Sequence, residues 1–133
     1  MSKLDHPRPE GLFINPAFSQ VVAASGTRTI YTAGQVSIDA QGGLVGADDL
    51  GAQTAQVMRN VGLALAAAGA GFADVVKITT YVVNYRPEHR SVISQARAPF
   101  FVGGLPPAST LIGVAALAMP EWLVEIEAVA VVD

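Results

Sequence analysis

Hydrophobic residues recur along this chain with two periods, and each period predicts a different kind of element. Across residues 50–68 the apolar positions return every three or four residues, which is typical of a helix with one apolar side. Asp48 or Asp49 offers an N-cap, and Gly69 and Gly71 supply the stop. A long amphipathic helix is therefore expected in the first half of the chain.

Runs rich in β-branched residues, bounded by glycine and proline, predict five strands. We expect them at residues 18–24, 27–36, 74–83, 108–117 and 122–132. Ser25 and Gly26 separate the first two runs and indicate a hairpin. Pro87 suits the first turn of a second helix, which is expected to run to about Phe101.

The predicted order is β-β-α-β-α-β-β, an α/β (α+β) subunit with a mixed sheet. Strand-helix-strand crossovers are right-handed, so both helices are expected on one face of that sheet. The run at residues 108–117 is apolar at alternate positions on both sides, which is typical of a strand buried on both faces. Because two helices cover only one face, the pattern predicts a homo-oligomer that packs through the other.

The last predicted strand places two carboxylates on a single side. One side is apolar throughout, whereas Glu125 and Glu127 lie on the other. If a second subunit covers that side, loss of water and the neighbouring like charge raise the pKa of at least one glutamate, which then suits general acid–base catalysis. The open alternative is that both carboxylates lie at a solvated sheet end and keep the edge soluble.

The composition fits an apolar surface that meets another subunit. The chain is 51% hydrophobic and only 14% charged, against a typical charged share of about 25%. Its 133 residues are the usual size of one domain. We therefore expect a single domain over residues 1–133, with residues 1–14 as a lead-in segment.

Charge and residue types disfavour several classes of protein. The net charge is −3 and the eight Lys and Arg residues are scattered, so no basic stripe is predicted to bind nucleic acid. The absence of cysteine excludes disulfides, thiol nucleophiles and zinc–thiolate sites. His6 and His89 do not form a metal-ligand pattern, and the first residues resemble neither a signal peptide nor a membrane span. A cytoplasmic protein without a metal is expected.

Polar residues at the ends of predicted elements are candidates for ligand binding. Gly34 and Gln35 lie at a strand end, and Ser109 and Thr110 begin the strand that follows two prolines. Arg97 on the second helix is able to hold an anion, although a lone helical arginine also serves to solvate a surface. The spacing places neither histidine beside the hydroxyls, so no catalytic triad is predicted.

Five short motifs, in their order along the chain, resemble those of the RidA (YjgF, Rid) family over roughly residues 15–132. The motifs are Ala33-Gly34-Gln35-Val36, Ala66-Ala67-Ala68-Gly69, the strand at 74–82, Pro107-Ala108-Ser109-Thr110, and Val-Glu-Ile-Glu-Ala-Val-Ala-Val at 124–131. The resemblance implies a chorismate-mutase-like subunit, a homotrimer, and clefts between neighbouring subunits. It also implies hydrolysis of imines and enamines to 2-oxo acids and ammonia, with no metal or cofactor.

The resemblance implies roles for particular residues and also shows where this chain departs from the family. Glu125 corresponds to the glutamate that positions or activates water. Ser109 stands where the family has an arginine that pairs with the substrate carboxylate, Phe18 stands at an aromatic hydroxyl, and Ala33 stands at a serine. A hydroxyl does not replace a bidentate guanidinium, so these departures indicate a cleft that prefers a neutral or more apolar ligand.

The resulting expectation is a cofactor-independent hydrolase of the imine or enamine deaminase type. Glu125 would act as acid and base, backbone groups near Gly34 and Thr110 would polarise the ligand, and Phe18 would line the pocket. The alternative is a non-catalytic trimer that binds a small metabolite. Ribonuclease activity, which is attached to some members of the family, is disfavoured by the acidic charge balance.

Overall fold

The computed structural model describes residues 3–133, so the first two residues of the predicted lead-in lie outside the described residues. Two short 3₁₀ turns, Phe72–Asp74 and Ala98–Phe100, accompany the regular elements. In chain order those elements are β1 Lys3–Asp5, β2 Ala23–Ser25, β3 Arg28–Tyr31, α1 Leu50–Ala67, β4 Val75–Val83, α2 His89–Arg97, β5 Ala108–Val114 and β6 Val124–Val132.

Four strands form one mixed sheet in the order β3-β6-β4-β5. Only β4 and β5 run parallel, and α2 crosses between them, while β6 is antiparallel to both of its neighbours. Both helices contribute to one hydrophobic core, through Val57, Met58, Val61 and Leu65 of α1 and Ile93 of α2. The predicted mixed sheet with two helices on one face is therefore confirmed.

Helix α1 begins and ends close to where its sequence predicts, whereas α2 begins at His89, after Pro87, and ends at Arg97, short of the predicted end at about Phe101. The Asp49 side chain accepts a hydrogen bond from the Ala52 N–H at 3.0 Å and caps α1. After α1, Gly69 adopts a φ of 80°, the left-handed conformation that commonly terminates a helix. No helix within residues 3–133 is long and apolar enough to span a bilayer.

The residues of β6 alternate between the sheet face that the helices cover and the opposite face, called the open face below. Its even-numbered residues, including Ile126, are buried against the helices, while its odd-numbered residues are half-buried. Glu125 and Glu127 therefore lie on the face opposite the helices, as the alternation predicts. Coverage of this open face by a second subunit stays a prediction.

The predicted hairpin across Ser25 and Gly26 is not formed, because its two runs belong to different sheets. β2 pairs with β1, whereas β3 pairs with β6. A side chain on Gly26 would meet Val131 Cγ1 at 2.7 Å and the Val132 carbonyl at 2.8 Å. Because Gly26 has none, the backbone passes close to the end of β6, and the chain enters the main sheet there.

The chain after β3 continues along β6 through a bulge. Tyr31 faces Val129, but Gln35 faces Ile126, so the register shifts by one residue between the two pairings. The extra residue falls in the segment that contains Gly34. Bulges of this kind occur beside functional sites because they re-aim backbone and side chains.

Candidate ligand site

A cavity of about 590 Å³ opens on the helix side of the sheet, between α2, β5 and the segment before β2. Its apolar lining includes Phe18, Ile93, Phe101 and Leu111. Its polar lining comprises Tyr85, Arg90, Ser94, Arg97 and Ser109. The lining residues carry two positive charges and no carboxylate. A cavity of this size with a few polar groups is typical of a small-molecule site.

Arg97 reaches Ser109 from the end of α2. One guanidinium nitrogen donates to Ser109 Oγ at 3.3 Å, and the other lies 3.5 Å from Thr80 Oγ1. Both distances are long for hydrogen bonds to a charged group. The Arg97 Nε atom is buried and has no hydrogen-bond partner among the described residues. Burial lowers the pKa of the Arg97 guanidinium from its ordinary value.

The fold brings these groups together through two separate elements. The parallel register sets Ser109 opposite Ile78 and Leu111 opposite Thr80, which directs both β5 side chains to the helix face. Arg97 is the last residue of α2, which packs over the same face. The Arg97 side chain from α2 thus meets Ser109 near the start of β5, although the two residues belong to different elements.

Tyr85 forms part of the cavity wall because the β5 residue next to it, Gly113, has no side chain. A Cβ on Gly113 would lie 2.9 Å from Tyr85 Cβ. The Tyr85 ring also lies edge-on to His89, with centroids 5.9 Å apart. His89 Nδ1 accepts from the Arg86 N–H at 3.1 Å, and His89 does not line the cavity.

Tyr85, Ser94 and Arg90 were not predicted from the sequence as site residues. Two signals were available for them. A glycine inside a strand indicates a close approach of another group, and Gly113 is such a glycine. Arg90, Ser94 and Arg97 recur at helical spacing, which places them on one face of α2.

A second cluster lies on the open face of the sheet, around Glu125. The Gln35 N–H donates to the Ile126 carbonyl at 2.8 Å, and the Ile126 N–H donates back at 3.1 Å. This pairing holds the bulge against β6, so that a Cβ on Gly34 would lie 2.8 Å from Glu125 Cδ. Gly34 therefore permits the Glu125 carboxylate to lie directly on the backbone. The Gln35 side chain donates to the Ala33 carbonyl at 3.3 Å.

The neighbouring polar groups on the open face are paired with each other. Tyr81 donates its hydroxyl hydrogen to Glu127 Oε1 at 2.7 Å. This hydrogen bond, more than burial or the charge of Glu125, raises the pKa of Tyr81 above its ordinary value. Lys77 Nζ donates to Thr110 Oγ1. Thr110 thus points away from Ser109, on the opposite side of β5.

The predicted site residues fall into two groups within one chain. Phe18, Arg97 and Ser109 line the cavity on the helix side. Residues 33–35 and Glu125 lie together at the bulge, and Glu125 points to the open side. In the part of the chain from residue 3 onward, no cluster of three or more His, Cys, Asp or Glu side chains is placed to hold a metal ion.

Comparisons with known proteins agree on one family. The family model described as Endoribonuclease L-PSP matches residues 13–132. The 2-iminobutanoate/2-iminopropanoate deaminase of Rattus norvegicus is 34% identical over 115 residues, which cover 86% of this chain and 80% of the deaminase.

Solved structures with the same fold include two bacterial proteins. YyfB of the conserved Rid protein family from Yersinia pestis is 45% identical, with a TM-score of 0.92 over 96% of this chain and 98% of that one. TdcF from E. coli, with bound serine, is 26% identical, with a TM-score of 0.69 over 77% of this chain and 80% of that one. The chain belongs to the Rid (YjgF) family.

Proposed function

We propose that this protein is a hydrolytic deaminase of a small imine or enamine that bears a carboxylate. In this proposal Arg97 binds the carboxylate, and Glu125 of a second copy acts as the acid and base. The observation that carries the proposal is half-buried Arg97, whose Nε is unpaired and which lies beside Ser109 with no carboxylate partner among residues 3–133. The deaminase of Rattus norvegicus supports the reaction class.

An anionic ligand would pair with the charge of Arg97, which no carboxylate among the described residues does. A buried cation without an opposite charge is unfavourable, because neither water nor a carboxylate replaces its lost hydration. A ligand carboxylate beside Ser109 would accept hydrogen bonds from the terminal guanidinium nitrogens, which make only long contacts in the protein, and would neutralise the charge. The missing family arginine therefore predicts a relocated anion site rather than a neutral cleft.

The reaction requires one water molecule and one group that moves protons. Water adds to the imine carbon while a carboxylate takes one of its protons. That proton passes to the imine nitrogen and completes the carbinolamine. A second proton then moves from the carbinolamine hydroxyl to nitrogen as the C–N bond breaks, so that ammonia leaves and a 2-oxo acid remains. Glu125 suits this role because its carboxylate rests on the Gly34 backbone and has no ion pair in the described part of the chain.

A complete site requires two copies of the chain. Arg97 and Glu125 lie on opposite faces of one sheet, so a single ligand is unable to contact both within one chain. The open face carries half-buried Val129 and Val131 beside the glutamates, as expected for a surface that meets another subunit. A homotrimer with one cleft at each junction is the arrangement we propose.

A second candidate function is that of a trimeric protein that binds a metabolite without turning it over. The observation that favours it is that the cavity and Arg97 are complete in one chain without Glu125. Saturable stabilisation of the protein by a 2-oxo acid, with no ammonia release from any imine, would support this binder.

The assay compares four proteins on freshly generated 2-iminobutanoate and on a neutral imine of similar size. Arg97→Met should lower kcat/KM for 2-iminobutanoate by about 10- to 100-fold, the value of a hydrogen bond to a charged group. Arg97→Met combined with Ser109→Arg should recover most of that loss, because it returns a guanidinium to the same place. Glu125→Gln should lower turnover of both imines.

Thermal unfolding of each variant separates loss of function from loss of fold. The neutral imine is an internal control, since its turnover should not depend on Arg97. Equal kcat/KM of wild type and Arg97→Met for 2-iminobutanoate would remove Arg97 from carboxylate binding. Unchanged turnover in Glu125→Gln would leave the second candidate, or another proton carrier, in its place.

A further inference from the structure

A second arginine, Arg90, lines the same cavity on the same helix as Arg97. The two are seven residues apart, which is close to two turns, or roughly 10 Å along the axis. Side chains at this spacing lie on one face of a helix and lean in the same direction. The cavity therefore presents two separate guanidinium groups rather than one cluster.

No protein group within the described residues binds the Arg90 guanidinium. Its nearest acidic neighbour in sequence, Glu88, pairs with Arg86 at 3.2 Å. Among the residues from 3 to 133, the Arg90 guanidinium makes no hydrogen bond or ion pair. None of the residues that line the cavity is acidic. Two positive charges thus face one cavity, and neither has an opposite charge there.

On α2, the cavity surface between the two arginines is apolar apart from the hydroxyl of Ser94. Ile93 and Ser94 lie between Arg90 and Arg97 on the helix, and Leu111 lines the cavity from β5. Such a wall suits a short hydrocarbon chain, and its two ends suit anionic groups.

We infer that the substrate is a 2-imino dicarboxylate, with the carboxylate beside the imine on Arg97 and the distal carboxylate on Arg90. This inference rests on the proposed function, and it adds the substrate class and a specificity-determining residue. A distal carboxylate at exposed Arg90 is worth less than one at half-buried Arg97, because water competes more strongly for the exposed pair.

The test measures binding of stable 2-oxo acids, the product class, by calorimetry. Two acids of equal chain length are compared, 2-oxohexanedioate and 2-oxohexanoate, which differ only in the distal carboxylate. Wild type should bind the diacid about two- to fivefold more tightly at low salt, as expected for one exposed ion pair. Arg90→Gln should abolish the preference, so that the ratio of the two dissociation constants falls to about one.

Arg86→Gln is the matched control, because Arg86 precedes the same helix, pairs with Glu88 and does not line the cavity. It should keep the preference for the diacid. Equal affinity of wild type for the two acids, or an unchanged preference in Arg90→Gln, would overturn the inference. Arg97→Gln should weaken both acids alike, and its failure to do so would count against the proposed function instead.

Discussion

The two faces of the four-stranded sheet differ in what they leave unsatisfied. On the helix face the core is closed, and the exception is a cavity where Arg97 has an unpaired Nε. On the open face the polar groups are paired in a row, through Tyr81 with Glu127 and Lys77 with Thr110. Glu125 stands apart from these pairs, on Gly34.

The charged groups of the proposed site are divided between the two faces of one sheet. Among residues 3–133, a positive charge without an acidic partner lies on one face and a carboxylate without an ion pair lies on the other. The sheet separates Arg97 from Glu125 within one chain. In the proposed oligomer, the open face of a neighbouring subunit would place its Glu125 beside the Arg97 of this chain.

Mixing two impaired variants should restore activity. Arg97→Met and Glu125→Gln chains, unfolded together and refolded, would form oligomers in which some junctions combine an intact Arg97 with an intact Glu125. In a closed ring assembled at random, roughly a quarter of the sites would be intact, so about that share of wild-type turnover is expected. Ammonia release per mole of protein measures it.

The control for this experiment is each variant refolded alone. If both residues acted within one chain, every chain in the mixture would carry a defect and activity would stay at the level of the separate variants. That result would place the whole site in a single subunit and contradict the division of the site between faces.

Gly34→Ala should impair catalysis and leave the fold in place. The added methyl group would overlap the Glu125 carboxylate, which is the mobile end of a side chain and moves aside at little cost to stability. A displacement of about 1 Å in a catalytic group lowers kcat/KM by about 100-fold. Steady-state kinetics and thermal unfolding are measured together.

Gly71→Ala is the matched control, since a Cβ on Gly71 meets no atom within 4 Å. It should keep wild-type kinetics. Wild-type kcat/KM in Gly34→Ala would show that the position of Glu125 on the bulge is not required for turnover.

Tyr81→Phe should have the smallest effect, and it should be confined to high pH. The hydrogen bond to Glu127 raises the pKa of Tyr81 in the folded protein, whereas in the unfolded chain it is about 10. The contribution to stability is therefore fully present below about pH 10 and is lost as the pH rises through the raised pKa. Denaturant unfolding across that interval should show a steeper loss in wild type than in Tyr81→Phe.

Tyr31→Phe serves as the comparison, because Tyr31 is 75% exposed on the same face and the Tyr81 hydrogen bond remains. It should follow the wild-type curve above pH 10. Identical slopes for wild type and Tyr81→Phe would show that the Tyr81–Glu127 pair does not contribute to folding stability.

Local patterns predicted most of the elements. The three- and four-residue period, the Asp49 cap and Gly69 defined α1, and strict alternation placed Glu125 on the face away from the helices. The predicted hairpin was wrong because a turn dipeptide records only that the chain bends, and pairing depended on the close approach of Gly26 to β6. The bulge at Gly34 likewise depended on a partner strand about ninety residues away.

Residue order alone specified the periods of the elements and the family motifs, because each is written within a few adjacent residues. Contacts between distant elements decided that Arg97 reaches Ser109 and that Glu125 lies against the Gly34 backbone. The reason is that contacts between elements depend on strand register and helix packing. A residue type at its own position does not specify which distant side chain will lie beside it.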